Sequence, residues 1–514
     1  MSRRRKALVA TAFTYTQLLV TAITGLFLTR YLIRLLGQNV YGTWLATAAL
    51  LGYAALADLG ILGVMPWLFA EADGAKDAAR MRSLLVHGLA SAVVGGAIYL
   101  VVAACVWKVL PGLLHLSSPA TETLRGPVIA MSCVTAIGYP TRLFAALRLG
   151  LQDYSFMGSL GIAQTLLNLF LVVGLSPMMG GLYAVALGAS VPPIVIGTLS
   201  LARTMSRNQD LLHDWPALHW SSLRPIMSSG AGQWLGSLGW QLAFASDAVV
   251  IGYLGHRDLI PMFDVTSRLG LTLMRLSWVF PDSASVGLAQ LRAESASERS
   301  GHVVATLLRF HLLTAGLVAC GILAANFGFV TTWVGHDLFG GAVLNGWFAL
   351  DVLVLSVVHG LLVPVAVFGR RVTVGTLTLL NGGLHIGFAL VLGRLWGLAG
   401  VAAATSVSAM VTTMPSGVKM LTEMTSLTMR TVLHRVGGPW LLRMMPCCGL
   451  AIAAGWAFTD AGFEARVGRN GAVVASLLVG AVVGVIYLVV MRPVMRELPF
   501  GPRLQSALAA LHLV

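Results

Sequence analysis

Four ionisable residues, Asp264, Arg268, Arg275 and Asp282, stand in one apolar stretch near the middle of the chain. At about 100° per residue they project at about 0°, 40°, 20° and 0° around a helix, so they form a single stripe. Charges in such a stretch are costly and face either one another or a wet cavity. Asp264 and Arg268, four residues apart, can neutralise each other along the helix. The other reading is a cavity wall on which the arginines grip an anion. Arginine suits phosphate because its planar fork binds two oxygens at once.

The preceding apolar stretch gives a second candidate. Gln233, Ser237, Trp240, Phe244 and Asp247 lie within about 40° of a common face. Polar groups mixed with aromatic rings suit a sugar-lined or amphipathic cavity, and ordinary packing around one polar seam gives the same pattern. Further along, Thr378, Asn381 and His385 share a face. A histidine placed there reads first as a hydrogen-bonded packing residue and second as a proton carrier. Asp58, beside Gly60, either lines a wall in the first half or caps a local break. Asp351 and His359, eight residues apart, form no recognisable pattern, and Arg30 and Arg34 fit simple snorkelling at a span end.

Machinery for catalysis is not evident. The chain has no GxxxxGK[ST] phosphate loop, so ATP hydrolysis is not expected of it. It also lacks clustered acidic metal ligands and a large hydrophilic loop that would hold a glycosyltransferase or polymerase site. Neither an enzyme nor a bound cofactor or metal is expected. The five cysteines sit in or beside apolar runs without a CxxC pair and read as small buried hydrophobes.

The elements that carry these residues follow from composition. Of 514 residues, 57% are hydrophobic and 11% charged, with mean hydropathy +0.82. Soluble domains carry about 25% charged residues, so water is not the main solvent of this chain. In hydrocarbon every backbone polar group needs an internal partner, which leaves helices or a closed barrel. Barrel strands give alternating segments of about ten residues, whereas a helix needs about twenty to cross the hydrocarbon. Here the apolar stretches are of the longer kind. The expected fold is all-α, with about fourteen spans at 9–36, 40–69, 84–107, 125–149, 154–176, 180–203, 226–254, 259–290, 302–334, 340–368, 372–393, 396–419, 439–459 and 470–491. The basic N-terminal run Arg3 to Lys6 leads into an apolar stretch that continues past Leu28, and it reads as an uncleaved first span.

The net charge of +14 does not mark a nucleic-acid surface, because the basic residues recur in short clusters between apolar stretches. With both termini in the cytoplasm, the cytoplasmic segments hold 23 of the 34 lysines and arginines and the outer segments 8. The remainder, Arg268, Arg275 and Arg309, lie within spans. Positive residues concentrate on the cytoplasmic side of membrane proteins, so this alternation supports an even number of spans. A weak repeat relates Leu36-Gly37 after the first span to Leu254-Gly255 after the seventh, and Glu71-Ala72-Asp73 to Glu294-Ser295-Ala296. Six spans per repeat predicts two parallel six-helix bundles, 1–210 and 211–438, with substrate placed between such halves. Residues 439–514 would add two helices and a cytoplasmic tail.

Several local patterns then resemble one family. Arg30-Tyr31-Leu32 leads to Leu36-Gly37-Gln38-Asn39-Val40-Tyr41-Gly42-Thr43-Trp44, followed by Ala57-Asp58-Leu59-Gly60-Ile61. Later come Asp247 to Gly255 and Arg268 to Pro281. Together they resemble the polysaccharide flippases, within the multidrug, oligosaccharidyl-lipid and polysaccharide exporter superfamily. The resemblance implies movement of a polyprenyl-pyrophosphate-linked oligosaccharide across a bacterial inner membrane for surface-polysaccharide synthesis. It also implies alternating access of two six-helix bundles, coupled to a gradient of H+ or Na+, with membrane lipids and polysaccharide-assembly proteins as partners. A multidrug or toxin antiporter of the same superfamily is the alternative, and it predicts a more acidic cavity. A membrane-embedded glycan polymerase or ligase fits less well, since the outer loops are short.

Overall fold

The computed structural model describes residues 3–283, 288, 297–459 and 461–498. The described chain is helical throughout, as an apolar solvent demands: helices satisfy their own backbone groups without water. Eleven helices among the described residues are long and apolar enough to cross a membrane. Joining α8 (Trp220–Phe244) to α9 (Ser246–Tyr253) across their 43° bend makes twelve. Two more of the expected stretches are helical and differ for a physical reason. The stretch expected at 40–69 is broken into α2 (Gln38–Ala54) and α3 (Ile61–Gly74), neither long enough alone. Of the stretch expected at 259–290, the part to Ser283 forms α10 (Ile260–Ser283), whose four charged residues lower its hydropathy, and most of the remainder lies outside the described residues. The protein is a polytopic α-helical membrane protein.

Two compact units divide the chain, Met1–Ile260 and Pro261–Val514. The first holds α1 (Arg3–Leu36) through α9, including α4 (Ala78–Leu113), α5 (Ser118–Gly150), α6 (Tyr154–Met179) and α7 (Gly181–Arg207). The seventh stretch, expected in the second bundle, therefore packs inside the first unit. Its helix α8 lies against the break in the second stretch. Breaking a helix frees carbonyls that lipid cannot solvate, each at a cost of several kcal/mol, on the order of the transfer penalty for a bare amide. Neighbouring side chains meet that need here. The Tyr139 hydroxyl of α5 donates to the Ala55 carbonyl at 2.7 Å, and Trp234 Nε1 of α8 donates to the Leu56 carbonyl at 2.9 Å. Gln241 Nε2 donates to the Ala49 carbonyl at 3.3 Å. Gly60 completes the turn with φ +76°, and a Cβ there would come within 2.5 Å of the Gly230 carbonyl. Glycine serves both the left-handed backbone and the close crossing.

The second unit is assembled on α11 (Ser297–Trp333). Against it lie α12 (Gly341–Val367), α16 (Gly438–Thr459) and α17 (Ala461–Val490). The two C-terminal helices are thus docked on the unit rather than separate from it: the Tyr487 hydroxyl donates to the Leu313 carbonyl at 2.8 Å, and Ser476 Oγ to Ala325 at 3.0 Å. α13 (Arg371–Trp396), α14 (Leu398–Val411) and α15 (Thr413–Met424) complete it. α14 is held by small residues, with Ala402, Ala403, Ala404, Ser406 and Ser408 fully buried. Lipid tails compete with any apolar side chain, so helices associate in membranes through such close backbone approach.

Candidate functional site

The charged stripe expected on the eighth stretch is present on α10. Thr266, Gly270 and Met274 are buried on the opposite side. Asp264, Arg268, Arg275 and Asp282 stay on the open side, and Arg275 and Asp282 are exposed. At the start of the helix Arg268 Nη2 donates to Asp264 Oδ2 at 2.5 Å, so internal neutralisation accounts for these two. Arg275 has no acidic partner among the described residues. A guanidinium without an acidic partner in a spanning helix has the chemistry to take an anion.

The far end of the stripe is more elaborate than sequence reasoning anticipated. His359 Nε2 of α12 donates to Asp282 Oδ1 at 2.7 Å. The His359 ring stacks on Trp278, with centroids 4.0 Å apart and planes 5° from parallel. Trp278 Nε1 in turn donates to Ser356 Oγ at 3.1 Å, one turn from His359 on α12. His359 also packs against His311, from α11, with ring centroids 5.5 Å apart and planes 76° from parallel. A Cβ at Gly360 would come within 2.8 Å of His311 Cδ2, so a glycine is what admits the ring. His359 had no pattern in the sequence because its partner Asp282 is on another helix. His311 was missed altogether, although a histidine inside an apolar run is itself a signal.

Two buried networks were also missed. Asn326 Nδ2 donates to the Thr266 carbonyl at 2.9 Å and to Asn345 Oδ1 at 2.8 Å, tying α11 to α10 and α12. Ser406 Oγ donates to Asp351 Oδ1 at 2.5 Å, which joins α14 to α12 and gives Asp351 a structural place. Asn381 and His385 of α13 are both buried. Asn381 Oδ1 accepts from Thr412 Oγ1 at 2.9 Å. Both residues are placed as packing residues would be.

In the first unit, Gln233 and Trp240 are exposed on α8 and Ser237 is half-buried. The Trp240 and Phe244 rings lie 4.0 Å apart. Asp247 lies past the bend at Ala245, so the common face projected for a straight helix stops at Phe244. Asp58, two residues before the N-cap Gly60 of α3, accepts backbone N–H from Gly60 at 3.3 Å and from Leu62 at 3.1 Å and so satisfies donors at the start of that helix. A separate cavity of about 380 Å³ lies between α1, α5, α6 and α7, with Gln17, Tyr154 and Gln164 among its lining. Among the described residues no group of three His, Cys, Asp or Glu side chains is arranged to hold a metal ion.

No protein-family model and no curated protein matches this chain. Solved structures do. The lipid II flippase MurJ in an inward closed conformation superposes with TM-score 0.64 at 12% identity, over 95% of this chain and 100% of that one. An inward-facing multidrug resistance MATE transporter of the MOP superfamily gives TM-score 0.56 at 16% identity, over 81% of this chain and 98% of that one. A MATE transporter of Vibrio cholerae gives 0.51 at 14%, over 82% and 97%. The chain has the fold of these transporters. At such identities the likeness extends to architecture, and the side chains above have to carry any statement about cargo.

Proposed function

We propose that this protein is an exporter of lipid-linked anionic glycans, moving a polyprenyl-pyrophosphate-linked oligosaccharide between leaflets of the inner membrane by alternating access. Arg275 carries the reading: an exposed guanidinium on a spanning helix, in a stripe whose other arginine is already neutralised by Asp264. A pyrophosphate head supplies the missing anion, and arginine binds it with two parallel hydrogen bonds. The aromatic and amide side chains of Gln233 and Trp240 on α8 are of the type that lines sugar-binding walls. The flippase among the compared structures also covers more of the chain than the drug transporters do. Both termini are placed in the cytoplasm, on the strength of the loop charges.

The test is a comparison of Arg275→Gln with Arg275→Lys in cells that display the glycan. Arg275→Gln is expected to lower surface glycan about tenfold or more at unchanged protein level, the cost of losing one charge-assisted contact of about 1.5–3 kcal/mol. Arg275→Lys keeps the charge without the fork and falls between. Normal glycan with Arg275→Gln would remove the proposed cargo.

A multidrug antiporter is the second reading, favoured by the MATE structures of the same fold. It predicts raised susceptibility to cationic drugs when the protein is depleted, with surface glycan unchanged.

A further inference from the structure

The transport reading uses Arg275 and leaves the other end of the stripe without a role. That end combines features that a packing motif does not require. A hydrogen-bonded imidazole–carboxylate pair, His359 with Asp282, stands on spanning helices with the carboxylate half exposed. A second imidazole, His311, is 2% exposed, and its Nδ1 has no hydrogen-bond partner among the described residues. Leaving a buried polar atom unsatisfied is destabilising. A purely structural position would be filled more stably by leucine or phenylalanine.

We infer that Asp282, His359 and His311 form a proton-binding site, and that the proton is the ion whose movement this protein couples to transport. With Asp282 ionised, His359 presents Nε2–H to the carboxylate, and Nδ1 is its basic nitrogen. A proton arriving from the open side, where Asp282 is exposed, adds to that nitrogen and makes an imidazolium. The charge is balanced by the Asp282 carboxylate at 2.7 Å and by the face of Trp278 at 4.0 Å. His311 is the neighbouring imidazole. Two imidazolium rings 5.5 Å apart would repel, so the pair holds one proton at a time, and the Asp282 carboxylate favours His359 over the buried His311 as its seat.

The surrounding helices bring little else that is charged. From α10, Arg275 shares the stripe seven residues before Asp282. From α11, Arg309 is committed to Glu497 at 2.8 Å. On α12 itself, Asp351 is eight residues away and bonded by Ser406. α14 contains no ionisable residue. On α15, Glu423 is held by Arg370 at 2.8 Å, leaving Lys419 beside it, and His385 of α13 is buried. The site ties α10 to α12 and α11. Its protonation therefore acts on the helix that carries Arg275, which is how proton occupancy would reach the cargo. Histidine is the side chain whose ordinary titration falls in the physiological range, which suits it to a coupling ion that must bind and leave.

This inference rests on the transport reading for its purpose but can be measured without any cargo. The full-length protein is reconstituted into proteoliposomes on a solid-supported membrane, and the charge displaced by a jump from about pH 8 to about pH 6 is recorded. The wild type is expected to give a transient current. Asp282→Asn is the primary variant, because the side chain is half exposed and the change is isosteric. It and His359→Gln are expected to lower the displaced charge about tenfold, by removing the group that balances the proton and the group that binds it. Arg435→Gln, elsewhere on the second unit, serves as a control and keeps the current. Wild-type displaced charge in Asp282→Asn, or no current in the wild type, overturns the assignment. If His359→Gln does not fold, Asp282→Asn decides alone. A normal proton current in a protein whose depletion leaves surface glycan intact would preserve this site while removing the flippase reading.

Discussion

At the residue scale, some charges are paired within the fold, and Arg275 has no acidic partner among the described residues. Asp264 and Arg268 pair along their own helix. The joint variant Asp264→Asn with Arg268→Gln is thus expected to keep surface glycan within about threefold of wild type. Removing both partners of this partly buried pair together leaves no uncompensated charge. A loss as deep as that of Arg275→Gln would instead place Arg268 among the cargo contacts. Asp58 can be tested in the same way. Its carboxylate accepts two backbone N–H groups on separate oxygens, Gly60 on Oδ1 and Leu62 on Oδ2, and asparagine, with one side-chain oxygen, can keep only one of them. Asp58→Asn is expected to keep transport with a modest drop in melting temperature, and Asp58→Ala to lower stability further, by about 1 kcal/mol or somewhat more. Loss of transport in a stably folded Asp58→Asn protein would show that the charge itself is needed. The stripe, the cap and the ion pair were legible because each depends on spacing within one helix. Asp282 with His359, Asp351 with Ser406 and Asn326 with Asn345 were not, because each joins helices that only the tertiary fold brings together.

At the element scale, the two broken stretches are the informative ones. Mean hydropathy gave 40–69 and 226–254 as single spans, since lipid exposure reads the same on either side of a short break. What marks the first break in the sequence is Asp58-Leu59-Gly60, and its meaning depends on donors from elsewhere, Tyr139 and Trp234. Trp234→Phe keeps the ring and removes the donor to the Leu56 carbonyl. It is expected to destabilise the protein by about 1–3 kcal/mol, measured as a drop in melting temperature in detergent. Gly60→Ala meets both a left-handed backbone and the Gly230 carbonyl. It should cost more than Trp234→Phe, read out as little folded protein on size-exclusion chromatography. A Gly60→Ala protein as stable as wild type would mean that α8 does not cross the break as closely as described. The eighth stretch shows the opposite lesson: its charges weaken the hydropathy signal of a span, and those same charges are the candidate site.

At the scale of the whole molecule, the membrane class, the all-α fold and the number of stretches could be read directly, because solvent dictates them. The grouping of stretches into units could not, since the repeat signal says how many helices each half has but not which neighbours α8 and α9 choose. Loop charge also predicts an orientation. In a cysteine-free background, Lys76→Cys is expected to react with an impermeant maleimide only after the membrane is opened, and Arg257→Cys in intact spheroplasts. The reverse pattern would invert the orientation and place the entry side for cargo on the other face. Movement of a lipid-linked glycan by this protein is tested by depleting it in its own cells and measuring lipid-linked oligosaccharide in each leaflet. The lipid-linked intermediate is expected to accumulate on the cytoplasmic side while surface glycan falls. An unchanged leaflet distribution with full surface glycan would contradict it.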